Sequence, residues 1–262
     1  MKLKTNLHFH SGEDPLDIID YSLFEGIDHA AKLGFDVLAS TCHTKNVCRE
    51  EHVSYAANKG MLLIPGIEAN IYDEGSRRRS HVLILNCDTS AEHIRTFEDL
   101  RAYRAAHPES YSIAPHPYFY GTFSLKQRLE QHIDLFDAIE HSWFYTHTMD
   151  RNTKAEQVAH KYGKPFVATS DTHTLAYIDT NYALIDAEER TVASVFRALS
   201  KHAVQNVTVP QRMHSILTTY VPHELLRQAK KLLRPSTEPI PQQPHLEAPV
   251  LQPVRARARD SS

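Results

Sequence analysis

The sequence contains a series of short apolar segments that each end in a histidine, an aspartate or a glutamate. Between most of them lies a stretch with the spacing of an amphipathic helix, so predicted strands and helices alternate. Such alternation is typical of an α/β sheet or barrel, in which the loops at the carboxyl ends of the strands build the functional site. We therefore expect the polar residues at these ends to meet. They are His8, His10, His43, Glu68, His81, His116, Asp171 and His173.

The first apolar segment ends in Leu7-His8-Phe9-His10. Residues two apart in a strand share a face, so His8 and His10 are predicted to point the same way, with Phe9 packed behind them. Neutral imidazole is the commonest metal ligand in proteins. The pair therefore predicts part of a metal site.

The other elements follow from the periodicity of the apolar residues. Strands are predicted at residues 3–7, 37–41, 61–67, 70–72, 81–85, 111–115, 136–140, 165–170, 182–185 and 204–209. Helices are predicted at residues 15–33, 49–59, 90–106, 124–133, 149–162, 188–200 and 211–233, with Asp14 and Ser90 as candidate N-caps. No helix fits between the strands at 61–67 and 81–85, which predicts a hairpin that returns His81 to the level of Glu68.

Composition limits the function classes. The 262 residues carry a formal net charge of -3, which gives no general attraction to nucleic acid or anionic membranes. No apolar run approaches the length of a membrane span, and no apolar stretch follows the basic N-terminus as in a signal peptide. The three cysteines have no paired spacing, which favours a reducing compartment. We therefore expect a cytoplasmic protein that does not enter a membrane.

Three segments are predicted along the chain. Residues 1–210 hold the strand–helix alternation and form the main domain. Residues 211–234 have apolar positions beside a basic face, which predicts a helix packed on that domain. Residues 235–262 are rich in Pro, Gln, Ser and Arg, with little to bury, and are predicted to be a disordered tail.

The mixture of imidazole and carboxylate at the strand ends suits zinc, manganese or iron. Eight such residues exceed the needs of one ion. Two or three divalent ions are therefore expected, with a carboxylate bridging at least two of them. Such a cluster supports hydrolysis, and phosphate esters are a natural substrate class because several cations neutralise the charge of the transferring group.

As a set, the strand-end motifs resemble those of the PHP family, the polymerase and histidinol phosphatase superfamily. They read Leu7-His8-Phe9-His10, Thr41-Cys42-His43, Gly66-Ile67-Glu68, His81-Val82-Leu83, Pro115-His116-Pro117 and Ser170-Asp171-Thr172-His173. The resemblance covers residues 1 to about 210. It implies a distorted (βα)7 barrel, related to the TIM barrel, with a trinuclear metal site.

The resemblance also implies a distribution of ligands. His8, His10, Glu68 and Asp171 would hold one metal, Glu68, His81 and His116 a second, and His43 and His173 the third. The third metal needs a further ligand shortly after His10, for which Glu13 and Asp14 are the candidates; we assign Asp14.

One residue departs from the family pattern. Many members have an aspartate before the second-strand histidine, where this chain has Cys42. Cys42 is either a soft metal ligand or, as we favour, a buried residue behind the ligands. Glu140, at the end of the strand predicted at residues 136–140, either orients a ligand histidine or is merely a polar strand end.

The predicted function is that of a metal-dependent phosphatase acting on a small phosphomonoester. His173 and Asp171 are assigned catalytic roles, with His173 protonating the leaving oxygen. Arg77, Arg79 and Lys45 are candidates for binding the phosphate. The alternatives are a nuclease or phosphodiesterase of the same family, a protein-tyrosine phosphatase of the same family, or a metal-stabilised binding module without turnover. The net charge makes nucleic acid an unfavoured partner.

Overall fold

The computed structural model describes residues 1–73, 78–119 and 121–216, together with positions 218, 221, 222, 225, 226 and 229. The strands are β1 Lys2–Phe9, β2 Val37–Ser40, β3 Leu62–Tyr72, β4 Arg79–Leu85, β5 Tyr111–Ala114, β6 Ala138–His141, β7 Phe166–Ala168, β8 Asn181–Asp186 and β9 Val204–Thr208. The α-helices are α1 Leu23–Lys32, α2 Glu50–Asn58, α3 Phe97–Ala106, α4 Gln127–Gln131, α5 Asn152–Lys161, α6 Val192–Ser200 and α7 Met213–Ser215. Short 3-10 helices span Thr89–His93, Ile133–Leu135 and Leu175–Tyr177.

The strands form one sheet in the order β7-β6-β5-β4-β3-β2-β1-β8-β9. β1 to β3 are parallel, as are β5 to β7, while β4 runs antiparallel to both of its neighbours. β8 is antiparallel to β1 and to β9. The predicted α/β distorted barrel is confirmed, but the described residues form nine strands instead of seven strand–helix units, and no helix separates β3 from β4 among them.

The two ends of the sheet, β7 and β9, are joined by a side chain. Asn206 of β9 donates from Nδ2 to the backbone oxygen of Phe166 and accepts from the backbone nitrogen of Ala168 through Oδ1, at 2.9 and 2.8 Å. An amide side chain thus replaces a backbone ladder and satisfies strand groups that would otherwise be exposed at an edge. The sheet is therefore nearly closed into a barrel.

Packing in the core positions the first histidine pair, His8 and His10. Phe9 is fully buried, and a Cβ on Gly26 of α1 would lie 2.4 Å from its ring, so only glycine lets α1 approach this closely. The prediction that Phe9 packs behind His8 and His10 is confirmed. Gly66, two residues before Glu68, is equally confined, because a Cβ there would lie 3.0 Å from the backbone oxygen of Ile84.

Two predicted helix starts are wrong. The first helix begins at Leu23, where Ser22 and Glu25 form a capping box, and Asp14 lies in the preceding loop. The segment predicted from Ser90 is a short 3-10 helix capped by Asp88, and α3 starts only at Phe97 after Thr96. The apolar residues of both loops continue the helical spacing, so periodicity alone predicts a helix across each loop.

The C-terminal predictions are tested only in part. The structure describes the one-turn helix α7 and the buried side chain of Ile216 within the predicted helix at 211–234, and residues 235–262 lie outside the described part. The division into three segments stays a prediction. Within the described residues, no helix has the length and apolar character needed to cross a membrane.

Candidate metal centre

All eight polar residues predicted at the strand ends meet in one cluster. Six are buried, whereas the side chains of Asp171 and His173 are 21% and 22% exposed. Their ligand atoms form four overlapping groups in which the atoms lie within 4.8 Å of one another. These groups are His8–His10–Glu68, His8–His116–Asp171, His43–Glu68–His81 and His10–His43–His173.

Glu68 lies at the centre of this cluster. It is 1% exposed, and its two carboxylate oxygens approach the imidazoles of five histidines. The distances are 3.5 Å to His8, 3.4 Å to His10, 3.0 Å to His43, 2.7 Å to His81 and 3.1 Å to His116. A carboxylate with this many histidine neighbours is placed to bridge cations.

One set of four donors has the spacing of a single coordination sphere. The Nε2 atoms of His8 and His10 lie 3.1 Å apart, and Oδ1 of Asp171 lies 3.2 and 3.4 Å from them. Ligands about 2.1 Å from a tetrahedral ion would be about 3.4 Å from one another. The observed spacings of 3.1–3.5 Å among His8, His10, Glu68 and Asp171 fit a shared cation.

His81 supports the same interpretation from another side. Both of its ring nitrogens are buried without a hydrogen-bond partner, although Nδ1 lies 2.7 Å from Glu68 Oε1. Buried polar atoms in native proteins nearly always have a partner. A nitrogen and a carboxylate oxygen that approach closely without hydrogen-bond alignment are oriented like two ligands of one ion.

The charges in the cluster depend on one another. Burial alone would raise the pKa of Glu68, but the imidazoles of His81, His8 and His43 hold it well below its usual range. Burial would lower the pKa of His43, yet Asp14 and Glu68 raise it to about 10. The metal-free cluster therefore holds protons on histidines at positions where a cation would otherwise supply the positive charge.

Two of these residues have strained backbones. His116 has a φ of 29° and Asp171 a φ of 44°, both in the left-handed region that non-glycine residues rarely adopt. Strain of this kind persists where the surroundings hold the residue and is concentrated at functional sites. Buried contacts supply that hold, since the backbone nitrogen of His116 donates to Glu140 at 2.6 Å.

Asp14 lies inside the cluster and Glu13 outside it. Oδ2 of Asp14 is 2.9 Å from Nδ1 of both His10 and His43, and it also accepts from the backbone nitrogen of His43 at 2.8 Å. The carboxylate of Glu13 accepts from the backbone nitrogen of Leu23 and so caps α1. Of the two candidates from the sequence, only Asp14 contacts the predicted metal-binding histidines.

The sequence interpretation missed Asp17. This residue is 2% exposed, and its Oδ2 lies 3.2 Å from Nε2 of His173. The helix predicted at residues 15–33 includes Asp17, whereas the observed helix begins only at Leu23. Its spacing of three from Asp14 was the available signal, since both acids lie in the loop that follows the histidine pair.

Glu140 holds two of the predicted ligands from behind. It is fully buried; Oε1 accepts from the hydroxyl of Thr169 and lies 3.5 Å from Nδ1 of His8, while Oε2 accepts from the backbone nitrogen of His116. A carboxylate on the far nitrogen of a ligand histidine fixes its orientation and increases its basicity. Of the two alternatives left by the sequence, the geometry favours the orienting role.

The remaining candidates lie around this centre. Cys42 is fully buried in the core, 3.5 Å from the hydroxyl of Ser11, and belongs to none of the ligand groups among the described residues. Lys45 is exposed just beyond His43. Arg79 is the first residue of β4, two residues before His81, and lies on the same face of the strand as His81. Arg77 lies outside the described residues.

Residues 150–204 match the protein family described as PHP-associated. A two-domain protein from Bacteroides vulgatus, containing a predicted PHP-like metal-dependent phosphoesterase, has a similar structure, with a TM-score of 0.57 and 17% identity. The chain therefore resembles PHP-like proteins in its fold. The similarity covers 79% of this chain and 65% of the Bacteroides protein, so the chain spans just under two thirds of that relative.

Two other solved structures have a fold similar to that of this chain. PsfC from Pseudomonas syringae is 14% identical, with a TM-score of 0.57 over 86% of this chain and 99% of PsfC. The lesion-specific endonuclease EndoQ from Pyrococcus furiosus is also 14% identical, with a TM-score of 0.57 over 79% of this chain and 58% of the endonuclease. No curated protein sequence matches the chain. The PHP resemblance inferred from the motifs is confirmed, whereas the substrate of this chain is a separate question.

Proposed function

We propose that the chain is a metal-dependent phosphoesterase, and specifically a phosphatase that hydrolyses a small phosphomonoester. The observation that carries this proposal is the convergence of five histidines on the buried carboxylate of Glu68. The PHP-like fold supports it. A mixed imidazole and carboxylate set of this size exceeds what one structural ion needs and suits hydrolytic chemistry.

The donors divide into three overlapping sets in this proposal. His8, His10, Glu68 and Asp171 would hold the first ion, Glu68, His81 and His116 the second, and His43, His173 and Asp14 the third, with manganese, zinc or iron as candidate metals. Bound ions of this kind activate water as a nucleophile near neutral pH and neutralise the oxygens of a transferring phosphoryl group.

The chain's own side chains then position the substrate and move a proton. Lys45, two residues after His43, and Arg79, two residues before His81, bind the phosphate in this proposal, with Arg77 as a further candidate. His173 lies between the carboxylates of Asp17 and Asp171, at 3.2 and 3.4 Å. In this proposal it donates a proton to the leaving oxygen.

A nuclease or phosphodiesterase is the second candidate. Its support is the shared fold with the Pyrococcus furiosus lesion-specific endonuclease. The formal net charge of -3 favours a small substrate over a polyanion. A protein-tyrosine phosphatase and a metal-stabilised binding module remain outcomes of the same experiment.

Metal content and activity test the proposal together. We expect the purified protein to bind at least two metals per chain and to cleave a phosphomonoester from a panel supplied with manganese, zinc or iron. His10→Ala should abolish both, because His10 Nε2 faces Glu68 and Asp171. The control is His93→Ala, at an exposed position outside the cluster, which should change neither. Binding of fewer than two metals, or full loading without cleavage, would refute the proposal.

The loop after His10 gives a second prediction. We expect Asp14→Asn to lose one metal equivalent and to lower kcat/KM by more than about 100-fold, the upper range for a group that only orients a ligand. Glu13→Gln should keep the full metal content and lower the free energy of unfolding by about 1 kcal/mol through the weakened cap of α1. Elemental analysis and chemical denaturation measure the two effects. Loss of metal from the Glu13 variant alone would reverse the assignment.

A further inference from the structure

A buried asparagine joins two segments that carry predicted metal ligands. Asn6 lies in β1, two residues before His8, and is fully buried. Its Oδ1 accepts from the backbone nitrogens of His8 and Ser170, at 3.2 and 3.3 Å. Its Nδ2 donates to the hydroxyls of Ser170 and Thr172, which are hydrogen-bonded to each other. The amide therefore uses both its oxygen and its nitrogen to connect β1 with the segment after β7.

Asn6 lies where β1 changes its neighbour. β1 pairs with β8 as far as Thr5, and beyond Asn6 it meets the segment after β7, where Phe9 forms a bridge with Thr172. The register of β1 with β2 also shifts between Asn6 and Phe9. A shift of this kind interrupts the regular ladder and redirects nearby side chains. The bond from the backbone nitrogen of His8 to Asn6 satisfies a donor in this irregular stretch.

The same bonds hold one side of the strained Asp171. This residue has a φ of 44°, and its carboxylate lies 3.2 and 3.4 Å from the imidazoles of the first histidine pair. Backbone hydrogen bonds of 3.1 and 3.3 Å to that pair hold Thr172, the residue after it. Ser170, the residue before it, is bound to β1 through the side chain of Asn6. Backbone pairing thus fixes one flank of Asp171, and Asn6 fixes the other.

Core packing alone does not require an amide at this position. The buried side chains of Leu3 and Leu7 in the same strand are apolar. Burying an amide costs free energy unless its polar atoms are hydrogen-bonded, and leucine has nearly the same shape without that cost. What the amide of Asn6 adds over an apolar side chain is the connection between the two ligand-bearing segments.

We propose that Asn6 is a positioning residue that sets the affinity for the ion shared by His8, His10 and Asp171. The inference rests on the proposed function, because it uses the ligand set given there, and it adds a residue that acts through the backbone of its neighbours. Without the Asn6 bonds, the carboxylate of Asp171 would no longer be held at ligand spacing from the two imidazoles. Residues that orient ligands in this way change metal affinity by about 10- to 100-fold.

Asn6→Leu tests the inference, because leucine keeps the shape of asparagine and makes none of its hydrogen bonds. Competition with a chromophoric chelator for Zn²⁺ measures the affinity of each metal equivalent in the full-length protein, independently of activity. We expect one equivalent to bind about 10- to 100-fold more weakly and the others to keep their affinity. Asn6→Asp should stay within about 3-fold of the unaltered protein, since a carboxylate accepts the same backbone bonds and the two hydroxyls can turn to donate.

Thr172→Val is a milder variant that does not depend on the folding of Asn6→Leu. It removes one hydroxyl of the network and keeps the shape of the side chain, so the same equivalent should weaken by about 2- to 10-fold, the range for one neutral hydrogen bond. The matched control is Asn206→Leu, because Asn206 also joins two segments through its amide, between β7 and β9. It should lower the Tm in chelator and leave the affinity of every equivalent unchanged.

Unchanged metal affinity in Asn6→Leu and Thr172→Val would overturn the inference. An equal loss of affinity in Asn206→Leu would also overturn it, because affinity would then follow the overall stability of the barrel. If Asn6→Asp binds as weakly as Asn6→Leu, the hydrogen bonds are not what Asn6 contributes, and the inference is wrong. Binding of fewer than two metals by the unaltered protein would instead overturn the proposed function, and this inference with it.

Discussion

Replacing Glu68 by glutamine is expected to remove bound metal and phosphoesterase activity together. The carboxylate approaches five imidazoles within 3.5 Å, and an amide can neither bridge two cations nor balance their charge. In this proposal Glu68 is shared by two ions, so the loss extends to both. We expect kcat/KM to fall by well over the roughly 100-fold that an orienting residue contributes. Elemental analysis and steady-state kinetics measure the two losses.

Glu140→Gln is the matched comparison. This carboxylate is equally buried, but it contacts Nδ1 of His8 and the backbone nitrogen of His116 from behind. The variant should retain metal at high concentration, with affinity or activity reduced about 10- to 100-fold. Circular dichroism would establish that both variants fold. The central position of Glu68 is contradicted if its variant keeps the metal content and activity of the Glu140 variant.

The parts of the fold that were predicted correctly are those set by local pattern. The run from Leu3 to Leu7 and the antiparallel pairing of β3 with β4 follow from apolar alternation and the lack of a helical period. The start of α1 was not predicted correctly, because the apolar residues of the loop at 15–21 continue the helical spacing. The capping box at Ser22 sets the boundary instead. The antiparallel position of β8 depends on pairing with the distant β1, which no local pattern encodes.

The candidate site divides in the same way. His8, His10 and Glu68 follow directly from strand ends, since parallel strands bring their carboxyl ends to one edge. Asp17 and the orienting role of Glu140 depend on loop geometry and on contacts between segments more than a hundred residues apart, such as Glu140 with His8. The residue type shows that a carboxylate can orient a histidine, but only the packing shows which histidine each carboxylate contacts.

Raising the pH above 6.5 is expected to destabilise the metal-free protein and not the metal-loaded protein. Although burial would lower the pKa of His8 and His43, neighbouring carboxylates raise both, that of His43 to about 10. A group whose pKa is higher in the folded state contributes stability that is complete below its unfolded value of about 6.5 and is lost as the pH rises through the folded value. His10 and His81 have lowered pKa values, so they affect stability only below pH 6.5.

At acidic pH the carboxylates act in the opposite direction. Burial would raise the pKa of Asp14 and Glu68, but the histidines lower both, so the stability they contribute is present above about pH 4 and lost as the pH falls. The metal-free protein should therefore be most stable near pH 6.5. Above that value it loses on the order of a few kcal/mol by pH 9, or about 10 °C in Tm for a domain of this size.

Thermal unfolding at pH 6.5, 7.5, 8.5 and 9.0, with chelator and with metal, measures the difference. Metal ions take the place of the histidine protons and bind more tightly as those protons leave, so the Tm of the loaded protein should hold or rise over this range. His43→Gln should flatten the metal-free profile because it removes a group whose pKa is raised to about 10, whereas His93→Ala, on the exposed surface, should not. A metal-free Tm that stays level from pH 6.5 to 9.0 would contradict the prediction. It would mean that these histidines do not hold protons between the carboxylates in the metal-free protein.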